Sequence, residues 1–64
     1  MIIGNVCLNV EEFAAFTIHK RENNNKTYYV VRGWFKQREG FVNVYKANSF
    51  KEALKVLEEL NEMI

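Results

Sequence analysis

His19, Lys20, Arg21, Tyr28, Arg32, Trp34, Lys36 and Tyr45 are the residues of this 64-residue chain whose types could act on a ligand. Aromatic rings interleaved with Arg and Lys can stack on nucleobases while the cations meet phosphates. Stacking of this kind contributes about 1–3 kcal/mol per base. The same residue types suit a protein interface, where Trp and Tyr are enriched. Aromatic cross-strand pairs also stabilise a sheet with no ligand at all. His19-Lys20-Arg21 could contact a phosphate, or simply form a solvated strand end.

Catalysis finds less support. A general base needs an orienting partner and a nucleophile, and no Ser-His-Asp or Cys-His pairing accompanies His19. Cys7 has no basic neighbour in sequence to lower its pKa and reads as a small buried hydrophobe. Glu11 and Glu12 are adjacent, so in an extended segment they point apart and make a poor acid/base pair. Gly4, Gly33 and Gly40 are the only glycines and form no phosphate loop. A single Cys with a single His argues against a zinc site within one chain. The expectation is a protein that is not an enzyme and uses no metal or cofactor.

Charge is unevenly spread. Residues 13–48 carry seven Lys or Arg against two Glu, a balance of +5, while residues 1–12 and 49–64 carry −2 each. A basic middle and an acidic end suggest an anionic partner for the middle, or a monomer stabilised by its own charge balance. No stretch is long and apolar enough to span a membrane, and no signal-peptide pattern is visible at Met1-Ile-Ile-Gly. A cytoplasmic location is the default expectation.

These residues must be positioned by few elements. Sixty-four residues make one domain, 1–64. Residues 13–21, 27–36 and 41–47 are rich in Tyr, Val, Phe, Trp and Ile and read as strands. Asn23 to Asn25 supply the first turn, because Asn tolerates left-handed backbone. Gln37-Arg38-Glu39-Gly40 supply the second. Residues 2–10 read as a short first strand with Val6, Leu8 and Val10 on one face.

Alternation sorts the side chains. A turn at Asn23-Asn24 pairs Ile18 with Tyr29, and a turn at Asn24-Asn25 pairs Ile18 with Val31; both leave the faces unchanged. Lys36 opposite Phe41 sets Phe35 against Val42 and Gly33 against Val44. One face is then Ala14, Phe16, Ile18, Tyr29, Val31, Gly33, Phe35, Val42 and Val44. The other carries Phe13, Ala15, Thr17, His19 and Arg21, then Tyr28, Val30, Arg32, Trp34 and Lys36, then Phe41, Asn43 and Tyr45. Gly33 leaves room for a bulky residue such as Phe50 to approach the backbone.

Ser49 and Glu52 form a capping box that opens a helix. Phe50, Ala53, Leu54, Leu57, Leu60 and Ile64 fall on one side of it, and Leu57 is central. Val56 and Met63 widen the apolar arc to about half the circumference, beyond what a one-sided surface helix needs. They read as either a deep seat on the sheet or a dimer interface. A chain this short with no disulfide available favours a homodimer.

The join Val44-Tyr-Lys-Ala-Asn-Ser-Phe-Lys-Glu-Ala-Leu54 resembles the strand-to-helix junctions of HicB-like antitoxin domains, arm-type DNA-binding domains of phage integrases and small phage inhibitors of host enzymes. The arm-type domains also match the order of three strands then a helix, and bind DNA with the sheet. No functional residue carries over from any of them. Small size, no Pro and an Asn run are compatible with a phage or mobile-element protein.

The expected fold is α+β, in β-β-β-α order. It is an antiparallel sheet of three strands, or four with residues 2–10, and one C-terminal amphipathic helix packed on one face. The expected function is a non-enzymatic binding module whose basic, aromatic sheet face meets nucleic acid. The rival is a protein-binding inhibitor or adaptor, antitoxin-like or host-takeover-like, using that face, the sheet edge or the helix margin.

Overall fold

The computed structural model describes residues 2–3, 6–7 and 9–63, the first four by their backbone only. The central element is an antiparallel sheet in the order β3-β4-β5, built from Phe13–Asn23, Lys26–Phe35 and Phe41–Ala47. One helix, α1, spans Phe50–Glu62 and packs across all three strands. The fold is therefore α+β, a three-stranded antiparallel sheet followed by a C-terminal helix.

The first hairpin closes at Asn24 and Asn25, whose φ angles are 51° and 64°. Two successive left-handed residues make the tight turn whose twist matches that of the flanking strands. The register follows, with Ile18 opposite Val31 and Arg21 opposite Tyr28. The second hairpin is looser. Gly40 has φ of 108°, and its carbonyl accepts from the Phe35 amide at 3.3 Å. Trp34 pairs with Phe41 and Gly33 with Val42, a slip of two residues from the expected register. A two-residue slip preserves the faces.

Two β-bulges then change them. The register steps from Phe13 opposite Phe35 to Ala15 opposite Trp34, leaving Ala14 as the extra residue. It steps again from Arg32 opposite Asn43 to Val31 opposite Tyr45, leaving Val44 as the extra residue. Beyond a bulge the alternation reverses. Phe13 consequently faces the helix side and is buried, and Ala14 is exposed, the reverse of their expected faces.

The core gathers Val10, Phe13, Phe16, Val31, Val44, Ala47, Ala53 and Leu60, with Ile18, Tyr29, Phe35, Tyr45, Val56 and Leu57 packed around it. Phe13 occupies the space over Gly33 that was expected to admit Phe50. A Cβ on Gly33 would stand 2.6 Å from its ring. Phe50 is half exposed and meets Tyr29 edge-on, with ring centres 5.6 Å apart. Leu60 is fully buried and Leu57 only half-buried, so the helix seats on Ala53, Val56, Leu57 and Leu60 rather than centring on Leu57.

Among the described residues of 2–10, none adds a fourth strand to this sheet. Ile2–Ile3 (β1) pairs antiparallel with Val6–Cys7 (β2) in a separate ladder. Val10–Glu12 is a 3-10 turn capped by Asn9, whose side chain accepts from the Glu11 amide at 3.3 Å. Glu11 and Glu12 therefore lie in a turn, not an extended segment, and both are exposed. The expectations for Leu8, for the Cys7 side chain and for Ile64 lie outside the described residues.

Ser49 caps the helix as expected, accepting from the Glu52 amide at 3.2 Å. The Glu52 carboxylate turns instead to Tyr45, whose hydroxyl donates to it at 2.6 Å.

Candidate functional site

The helix covers one face of the sheet, and the register places the chemistry-bearing side chains on the other. Thr17, His19 and Arg21 of β3 share that open face with Lys26, Tyr28, Val30, Arg32 and Trp34 of β4. On β5, Phe41 and Asn43 lie opposite Trp34 and Arg32 before the bulge, and Lys46 lies opposite Val30 after it. None of these residues is a carboxylate. The acidic residues of the described chain lie in the 3-10 turn, on the helix, at Glu39 of the second loop and at Glu22, whose partner is Lys20 at 3.6 Å.

Five of the eight expected ligand residues come together here: His19, Arg21, Tyr28, Arg32 and Trp34. The other three do not. Lys20 alternates onto the opposite face, opposite Tyr29, and stays exposed beside Glu22. Lys36 lies beyond the end of β4, where its amide donates to the Glu12 carbonyl at 3.0 Å. Tyr45 is turned to the helix side by the Val44 bulge and bonds to Glu52. Of the two residues read as a dimer margin, Val56 packs against the chain's own core and Met63 is half exposed at the helix end.

The bulge that removes Tyr45 from the open face delivers Lys46 to it. Strict alternation hides Lys46, but the sequence holds a cue. Val42 and Val44 are apolar in one phase, Tyr45 and Ala47 in the other, and such a break is what a bulge accommodates. Phe13 and Phe16, three apart and both buried, carry the same cue in β3.

The open face is ordered by its own contacts. The Trp34 indole N–H donates to Thr17 Oγ1 at 2.8 Å. The Thr17 hydroxyl in turn stands 2.8 Å from His19 Nε2. With a neutral imidazole the hydroxyl can donate to Nε2; protonation reverses that bond, because Nε2 then donates. Trp34 leans on Phe41 with ring centres 5.0 Å apart. Arg32 lies over the Phe41 ring at 4.2 Å, and the Lys46 ammonium lies 4.5 Å from the centre of the Tyr28 ring. Cations on aromatic faces gain about 0.5–1 kcal/mol at exposed sites. Val30, in the middle of these side chains, is buried although it is on the face away from the helix.

The electrostatics of the face show at His19. Partial burial, then Arg32, then Arg21 hold its pKa below the usual imidazole value. Such a surface is cationic and partly apolar, and it can accept an anion beside a planar ring. No protein-family model, no curated protein and no solved structure matches this chain.

Proposed function

We propose that this chain is a non-enzymatic binding domain that holds single-stranded nucleic acid on its open sheet face. The observation that carries this reading is the composition of that face. Arg21, Lys26, Arg32 and Lys46 surround Tyr28, Trp34 and Phe41, and no carboxylate shares the register positions. The acidic helix lies on the other side of the sheet, so charge segregates across the thickness of the molecule. Bases would stack on the aromatic rings while the cations meet the phosphodiester chain. A rival reading, a protein partner on the same surface, is favoured by Phe41, which remains 43% exposed at the start of edge strand β5. Salt separates the two. Titration of a labelled single-stranded oligonucleotide should show binding at low salt that weakens steeply as salt rises. No binding at low salt overturns the proposal and favours the protein partner.

A further inference from the structure

We propose that the groove bounded by Arg21, Arg32 and Lys46 is a subsite for one phosphate group, and that its occupancy is coupled to protonation of His19. The proposal rests on the nucleic-acid reading for the identity of the anion as a phosphodiester.

The groove lies on the open face over Tyr28 and Val30, with Asn43 at its β5 side. Three cations line it and no carboxylate does. Two of the three are held in place by rings: Lys46 by Tyr28 and Arg32 by Phe41. Anchoring of this kind lowers the ordering cost that a flexible Lys or Arg otherwise incurs on binding. Arg32 supplies a further sign. Its Nε is buried and has no hydrogen-bond partner. A buried donor without an acceptor is unfavourable until one arrives. A guanidinium matches phosphate oxygens with parallel N–H donors, and an ammonium adds a point charge. The neighbouring aromatic rings suit the base attached to that phosphate.

His19 stands next to this groove. Arg21 is two residues along its own strand, and Arg32 and Tyr28 flank its cross-strand partner Val30 on β4. Lys46 lies beyond Val30 on β5. No carboxylate faces the imidazole from these elements, and its hydrogen-bond partner is the neutral Thr17 hydroxyl at 2.8 Å. An anion between the guanidinium groups offsets their repulsion, and the imidazolium becomes easier to form. Linkage makes the effect reciprocal: protonated His19 strengthens anion binding by the same factor. Burial first, then Arg32 and Arg21, hold the His19 pKa down in the free protein, and the two guanidinium groups are the part an anion would offset.

His19 is the only histidine in the chain, so its ring resonances can be followed without assignment. The test is an NMR titration of those resonances between about pH 5 and 8, the range in which histidine titrates. It is run in sodium sulfate and in sodium chloride at equal ionic strength, sulfate serving as a stand-in for phosphate whose charge is constant over that range. The midpoint should be higher in sulfate than in chloride. The rise should disappear in the Arg21→Gln, Lys46→Gln double variant, with circular dichroism confirming that it is folded. Equal midpoints in the two salts overturn the subsite, as does a rise that survives in the folded double variant. If the double variant does not fold, Lys46→Gln alone is used and a reduced rise is required. Equal midpoints together with intact oligonucleotide binding would end the subsite and leave the nucleic-acid reading standing. A sulfate-dependent rise without oligonucleotide binding would support the anion site and end the nucleic-acid reading.

Discussion

The Tyr45 hydroxyl donates to Glu52 Oε1 at 2.6 Å, tying the edge strand β5 to the first turn of α1. The Val44 bulge makes this possible, since strict alternation would point Tyr45 away from the helix. The hydrogen bond to Glu52, with smaller contributions from burial and the carboxylate charge, raises the phenol pKa above its usual 10.0. Glu52→Gln should therefore bring that titration back toward the ordinary value, read by ultraviolet absorbance with Tyr45→Phe as the assignment control. The sign for stability follows from linkage. A raised folded-state pKa contributes stability that is complete below the ordinary value and is lost as pH rises through the folded pKa. The advantage of the parent over Tyr45→Phe should shrink in that alkaline window, and an unchanged advantage would mean that the bond does not form.

Gly33 and Phe13 test the other bulge. A Cβ on Gly33 would lie 2.6 Å from Cδ1 and Cε1 of Phe13. That ring is also held by Phe35 at 5.0 Å and Phe16 at 5.1 Å between centres, so it cannot simply step aside. Gly33→Ala should destabilise by about 1–3 kcal/mol, the usual cost of overpacking. Equal urea midpoints for parent and variant would show that Phe13 does not sit over Gly33.

The strands, both turns and the capped helix could be read from residue type and spacing, because Asn pairs, β-branched runs and a helical apolar stripe act locally. Most of the open face was legible for the same reason: His19, Arg21, Tyr28, Arg32 and Trp34 keep one phase between the bulges. What escaped depends on packing at a distance. Phe13 and Tyr45 change face because each gains burial or a partner on the helix side, and alternation carries no record of that gain. Lys36 falls out of the sheet because the second loop closes at Phe35 and Gly40, one residue earlier on each strand than the expected pairing of Lys36 with Phe41. Val10 joins the core through a turn, where no strand period applies.

Leu60, rather than Leu57, should dominate the helix contribution to stability. Leu60 is fully buried and Leu57 is not. Leu60→Ala should cost about 2–5 kcal/mol, as expected for truncating a large core residue. Leu57→Ala should cost less, since part of that side chain is already in water. Denaturant unfolding of the two variants checks the order, and a reversed order would place the helix on a different face.

His19 should make the fold sensitive to mild acid. Burial, Arg32 and Arg21 lower its pKa from 6.5, so the unfolded chain takes up the proton first. Its contribution is complete above that value and is lost as the pH falls through the lower folded-state pKa. The stability of the parent relative to His19→Gln should therefore decline on acidification through this window, measured by urea midpoints at constant ionic strength. A relative gain in acid would mean that the imidazolium has an anionic partner in the folded protein.

Lys46 separates the bulged register from simple alternation and bears directly on function. Alternation through Asn43 would turn Lys46 toward the helix side and Tyr45 toward the ligand. The bulge does the opposite, setting Lys46 opposite Val30 with its ammonium over the Tyr28 ring. If nucleic acid occupies the open face, Lys46 meets a phosphate. Lys46→Gln should then weaken oligonucleotide binding and flatten the dependence of log affinity on log salt by about one. Lys55 on the exposed side of α1 provides the control, because it lies across the sheet from the ligand. Lys55→Gln should leave both affinity and slope nearly unchanged. Tyr45→Phe should leave the affinity unchanged, since that hydroxyl is engaged with Glu52 on the helix side. The measurement is a fluorescence-anisotropy titration of one single-stranded oligonucleotide at several salt concentrations. Equal slopes for Lys46→Gln and Lys55→Gln would mean that binding is set by overall charge and not by the open face. An affinity lowered by Tyr45→Phe and not by Lys46→Gln would mean that the strand runs on without its bulge.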